Sequence, residues 1–263
     1  MTVDHLRQII LCFLVLAFLP APAIAQDCNI TEEMIVRLKP PSFGNRRAWD
    51  MLYGDIGYER FSDIVMVDNE NVVVAGDFTI GEEDDVYKPM IAQLNDRADT
   101  IWETREDLKQ DHPLVRVTKT KDGFAAIGNT RSGKNRGIFL SNYSKDGKLI
   151  NRKRIIEAGA DIDAVSIVPS HDGKGFVIGA QYHSQNNIED TYGLVYKLTK
   201  NGNTVWRRAY RPGIVTFFHN VHALDDQSYM ASGQIRLDDG RLAGWAVKLD
   251  ENGAIQWQQT YPR

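Results

Sequence analysis

The feature that most restricts what this chain can fold into is a phrase it writes more than once. "GLVYKLTKNGNTVWRRAY" is answered some fifty residues later by "GWAVKLDENGAIQWQQTY", with Trp eight residues after Leu and Tyr four after Trp in both copies. Self-similarity at a fixed period marks a chain built from repeated supersecondary units. Trp49, Trp102, Trp206 and Trp257 are separated by 53, 104 and 51 residues, which is one, two and one steps of a single period. The skipped copy is "NYSKDGKLINRKRI", where Asn151 takes the position of Trp206 and Ile155 that of Tyr210. A second ladder, Gly76, Gly128, Gly179 and Gly233, follows short apolar runs at spacings of 52, 51 and 54.

Within each repeat the order of segments is constant. An alternating stretch such as "FSDIVMVD" leads through a polar turn to an apolar run such as "NVVVAG". A loop of variable length then precedes a third run such as "PMIAQLN" and, after a tight turn, a fourth such as "DTIWETR". Period-two alternation, β-branched and aromatic enrichment and Gly/Asn/Asp turns predict strands. "KDG", "KNG" and "ENG" put Gly where a hairpin needs positive φ. Four strands in meander order, repeated at this period, predict an all-β protein, a β-propeller of four-stranded antiparallel blades. The repeats span approximately 59–106, 111–157, 161–211 and 216–263, within a single domain over 26–263. Ahead of them, residues 32–54 predict an amino-terminal hairpin or partial blade, with Leu38 and Trp49 in the expected roles and "KPPSFG" as an insertion between its strands. The chain would then begin and end on outer strands. Three closures follow: a four-bladed ring with an extra hairpin, a five-position ring with an incomplete blade, or an open arc completed as a homodimer.

Residues 1–25 carry Arg7, the apolar stretch from Ile9 to Leu19 and an Ala-x-Ala ending at Ala25, the layout of a secretory signal peptide. Eleven apolar residues are short of the roughly 20 that a membrane span needs. Cleavage predicts a periplasmic or secreted protein with no membrane span. It removes Arg7 and Asp4, leaving 30 basic and 34 acidic residues and a net charge of −4. That balance gives no electrostatic case for nucleic acid. Cys12 leaves with the leader and only Cys28 stays, so no intramolecular disulfide is available and the fold rests on its core. "AQD" before Cys28 is not a lipobox.

"KLTKNGNTVWRRAY" and "KLDENGAIQWQQTY" resemble the bacterial exported propeller repeats of the quinoprotein-like superfamily. Their pattern runs as Leu-Asp-x-x-Gly-x-x-x-Trp after an apolar run ending in Ala-Gly or Ile-Gly. The resemblance covers residues 32–263 at the level of repeat architecture and implies the fold more than an activity. In the superfamily's quinone-dependent dehydrogenases it would imply a calcium site, a catalytic Asp, paired cysteines and about twice as many blades. This chain has no Cys-Cys and no matching motif, so no cofactor and no metal site is expected.

The repeating Trp and Gly residues read as packing positions, because a ligand site has no need of one Trp per repeat. His219 and His222, three apart on a strand, are expected on opposite faces and so unable to share an ion. "DENG" and "DDVYK" lack a full calcium-loop ligand set. Asp161 and Asp163, two apart, fall on one face of an innermost strand, but nothing in the sequence marks them as an acid/base pair. "GNTRSGKNRG" lacks the frame of a phosphate loop and is expected to be an exposed connection. With no catalytic residues, the chain reads as a non-enzymatic module that binds a protein or small ligand through the variable loops between second and third strands. The alternatives are a quinoprotein-like or hydrolytic enzyme using the central opening, and an envelope assembly scaffold.

Overall fold

The structure, a computed structural model, describes residues 42–43, 46–47, 58–81, 86–110, 112–132, 135–187 and 189–262. The chain divides into two units, residues 1–50 and 51–263. In the first unit β1 (Ser42–Phe43) pairs antiparallel with β2 (Arg46–Arg47), Ser42 opposite Arg47 and Phe43 opposite Arg46. Ser42 and Phe43, expected in the inserted loop, are themselves strand, since two intervening residues suffice for a hairpin. Residues 1–25, expected to be a signal peptide, and Cys28, Leu38 and Trp49 lie outside the described residues.

The second unit consists, among the described residues, of four antiparallel sheets and no helix. The first sheet is β3 (Glu59–Met66), β4 (Val72–Phe78), β5 (Lys88–Leu94) and β6 (Thr100–Arg105). The second is β7 (Leu114–Lys119), β8 (Gly123–Ser132), β9 (Asn135–Ser144) and β10 (Leu149–Ile155). The third is β11 (Ala160–Pro169), β12 (Gly175–Ser184), β13 (Thr191–Thr199) and β14 (Thr204–Tyr210). The fourth is β15 (Val215–Ala223), β16 (Tyr229–Arg236), β17 (Leu242–Leu249) and β18 (Ile255–Pro262). Each is a meander in chain order. The first strands of successive sheets are neighbours, β3 to β7, β7 to β11 and β11 to β15, which is the blade arrangement of a propeller.

Three apolar cores fill the three junctions. Val73, Ala75 and Ile91 of the first sheet meet Phe124, Ala126 and Phe139 of the second. The opposite face of the second sheet offers Ala125, Ile127, Ile138 and Leu140 to Ile162, Phe176 and Ile178 of the third. Val177 and Val195 of the third face Val221, Tyr229 and Ala231 of the fourth. Middle strands are covered on both faces, so they read as continuous apolar runs, while outer strands such as β6 alternate in exposure. No comparable packing joins the fourth sheet to the first among the described residues. Ile64, Met66 and Ile101 at one end and Trp257 and Tyr261 at the other stand exposed.

Each first strand carries a β-bulge, at Ser62, Val115, Val165 and His219. Next to the bulges, side chains of one sheet accept main-chain N–H groups of the next: Asp63 from Val117 at 2.9 Å, Asn129 from Ala164 at 2.7 Å, Ser166 from Val221 at 2.9 Å. Gly76, Gly128 and Gly233 lie opposite the bulges, where an added Cβ would come within 1.7, 2.2 and 2.0 Å of a carbonyl oxygen. Gly179 departs from this ladder. The register puts Ala180 at the equivalent rung, opposite Ala164, and Gly179 one step away against Ser166. "GFVIG" is one residue shorter than "GFAAIG", so counting glycines misplaces the rung.

Candidate functional site

The cross-strand register defines one equivalent rung in every sheet: Val73–Gln93–Trp102, Ala125–Asn142–Asn151, Val177–Lys197–Trp206 and Met230–Lys248–Trp257. The first three face the following sheet, as Val73, Ala125 and Val177 show by their places in the three cores. Trp102 lies 5.9 Å from Phe124, centroid to centroid, and so close to Gly147 that a Cβ there would meet its ring at 2.3 Å. Its Nε1 donates to Gln93 Oε1 at 2.7 Å. Trp206 packs in the same way on Gly253. Gly147, Gly202 and Gly253 have φ of 77°, 79° and 76°, so the predicted glycine turns are present; Gly147 and Gly253 come up under the preceding sheet's Trp, whereas Gly202 lies against Lys153 and Leu140. Trp257 faces no following sheet and is 43% exposed.

At the second junction the indole is missing. Asn151 occupies its rung, and a cavity of about 370 Å³ opens there, lined among others by Asn142, Asn151, Phe176, Pro169, Lys121 and Lys200. Phe176 is the register equivalent of Phe124, so the cavity is bounded by the ring on which a Trp would pack. Asn142 Nδ2 donates to Asn151 Oδ1 at 2.7 Å and to the Lys200 carbonyl at 2.9 Å, which fixes both amides. Asn142 Oδ1 and Asn151 Nδ2 have no protein partner among the described residues. At the mouth Lys200 pairs with Asp122 at 3.6 Å and the Lys119 ammonium donates to the Val67 carbonyl. Lys121 is exposed and forms no ion pair among the described residues. In the nearby β11–β12 turn, the Ser170 hydroxyl, the Lys174 N–H and Lys197 hold the Asp172 carboxyl far below the usual range.

The cavity lies at the edge formed by the first-to-second and third-to-fourth turns. The variable loops expected to carry recognition are at the opposite edge, and the ladder extends well into them. Thr130 pairs with Gly137 and Ser132 with Asn135, so most of "GNTRSGKNRG" is strand rather than exposed connection. At that edge Asp161 and Asp163 do share a face, and both pair with Arg136, at 3.4 Å each. Burial pushes Asp161 up, but the Arg136 N–H, the Gln185 amide and the Arg136 guanidinium together hold it below the ordinary carboxylate range. It is therefore an ionised structural anion and a poor proton donor.

His219 and His222 depart from expectation. The bulge at His219 breaks the alternation, and both rings are exposed. His222 Nε2 lies 3.0 Å from Asn220 Nδ2, and no cluster of three metal-ligating side chains occurs among the described residues. The sequence signal for the cavity is Asn151, the gap in the Trp ladder, but the ring that borders that gap, Phe176, comes from the next repeat.

No family model and no curated protein matches this chain. Among solved structures it is similar to the Bombyx mori GH32 beta-fructofuranosidase BmSUC1, with a TM-score of 0.41 and 11% identity, over 79% of this chain and 50% of that one. The chain thus spans half the length of that enzyme. The propeller assignment rests on the four meander sheets and the succession of their first strands.

Proposed function

We propose that the protein is an exported, non-enzymatic binding module whose ligand is a small molecule held between its second and third blades. The observation that carries this reading is the cavity of about 370 Å³ at the one Trp rung occupied by Asn. Its size falls within the roughly 300–1,000 Å³ of small-molecule sites, and it combines apolar walls with two fixed amides, the composition such sites favour. The carboxylates with geometry closest to an acid/base pair, Asp161 and Asp163, are tied to Arg136 and lie at the other edge. That arrangement supports a binding role over a catalytic one. Export is supported by the leader-like residues 1–25. The experiment is a thermal-shift comparison of wild type and Asn151→Trp against a low-molecular-weight extract of the cell envelope. Stabilisation of wild type alone supports the reading. An equal shift in both proteins, or none in either, removes it.

A further inference from the structure

We infer that the cavity takes an indole-sized N–H heteroaromatic carrying an anionic substituent. The inference rests on the binding role proposed above and adds the ligand's chemical class. The protein itself supplies the template. At the first junction an indole sits at this rung, its ring packed at a 50° tilt on Phe124 and its N–H on the amide oxygen of Gln93. At the second junction the corresponding ring wall, Phe176, is retained and the corresponding amide is Asn142.

The orientation of that amide is fixed. Asn142 Nδ2 spends both its hydrogens on the Asn151 side chain and the Lys200 carbonyl, so Oδ1 remains as the acceptor available to a ring N–H. The third junction shows that this is chemistry rather than bulk alone. There Lys197 stands opposite Trp206, and the buried Trp206 Nε1 has no hydrogen-bond partner. An amide at this rung serves an indole and a lysine does not. Asn142 thus keeps the acceptor of the first junction while Asn151 removes the internal ring.

The substituent follows from charge at the mouth. Three lysines and one aspartate surround it, Lys200 is matched by Asp122, and Lys121 is left uncommitted. An anionic group on the ring, pointing out of the cavity, meets Lys121 without burying a charge.

Titration calorimetry of the full chain with indole-3-acetate, 1-methylindole-3-acetate and indole separates these elements. Indole-3-acetate is expected to bind at one site per chain. Methylating the ring nitrogen weakens binding about tenfold, the loss of one buried hydrogen bond with its acceptor left unpaired. Removing the carboxylate, or Lys121→Gln, weakens it by roughly threefold and abolishes most of the salt dependence. Asn151→Trp eliminates binding, and its unfolding transition shows whether it remains folded. Should Asn151→Trp misfold, Asn142→Leu replaces it as the variant expected to lose the discrimination between the two indole acids. The assignment is overturned by no binding of indole-3-acetate, by undiminished binding in a folded Asn151→Trp, or by equal affinity for the N-methylated ring. If an envelope extract stabilises only wild type while no indole binds, the cavity remains a binding site and the aromatic assignment alone is lost.

Discussion

On one side of the second sheet the Trp102 ring lies 5.9 Å from Phe124 and against Gly147. On the other, Asn151 stands at the same rung and about 370 Å³ lies open in front of Phe176. The two junctions share their apolar floor, their glycine turn and their bulge-side hydrogen bond from Asp63 or Asn129. They differ in whether the upper edge is closed by the protein or left to something else. The lesson is that in a repeat protein a site can arise by omission. Neighbouring copies already provide the shaped wall, and one substitution exposes it.

Opening the closed junction is the most damaging change. Trp102→Ala is expected to cost about 2–3 kcal/mol in urea denaturation, less than truncation of a fully buried aromatic because the ring is only partly buried. Asn151→Ala, which removes one half-buried amide, should cost about 1 kcal/mol. Equal losses would mean that the first junction does not depend on its indole. Added indole should recover part of the stability of Trp102→Ala, because the vacated space keeps Phe124 and Gln93.

The turn glycines come next. Gly147→Ala and Gly202→Ala both force a side chain into left-handed backbone, about 1–2 kcal/mol each. At Gly147 the new Cβ also meets the packed Trp102 ring at 2.3–2.8 Å, whereas at Gly202 it meets the exposed Lys153 stem at 2.6 Å. Gly147→Ala should therefore show the lower melting temperature of the two. The reverse order would show that the tight packing at the first junction is relieved more easily than that beside Lys153.

Closing the open junction is a smaller effect. Asn151→Trp is expected to stabilise by roughly 0.5–2 kcal/mol, the usual gain for filling a cavity, after losing the Asn142–Asn151 bond. Destabilisation would mean that the space does not have the shape of an indole despite its place in the ladder.

The blades were legible because their causes are local. Alternation and Gly-bearing turns act within a few residues, the Trp period counts the copies, and the four sheets follow them. What the sequence hid was register. One residue missing from "GFVIG" moved Gly179 off the bulge rung, and the bulge at His219 undid the parity that separated His219 from His222. A bulge is set by how the first strand meets its neighbour, which no single strand declares. The cavity was half legible. Asn151 was visible as an exception, but Phe176 and the Lys200 carbonyl come to it from the next repeat. The variable loops drew attention because they differ most, yet much of their length is spent extending the ladder.

The smallest expected effect concerns acid, and it also belongs to the first junction. His112 is buried there, its ring 5.2 Å from Phe139. Nδ1 donates to the Gln110 carbonyl at 2.7 Å and Nε2 accepts from the Thr130 hydroxyl at 3.0 Å. Burial lowers its pKa, Arg152 and Arg154 add to the lowering, and the Gln110 carbonyl and Glu106 oppose it. Well above pH 6.5 the ring is neutral both folded and unfolded, so it adds no pH dependence there. Below that value the unfolded chain takes up a proton that the folded chain resists, and stability falls with pH. His112→Gln, which keeps a donor and an acceptor, should flatten the decline between about pH 6.5 and 5 relative to wild type. An identical slope in both proteins would place the acid sensitivity outside the closed junction, and the packing of Phe139 would then owe nothing to a neutral His112.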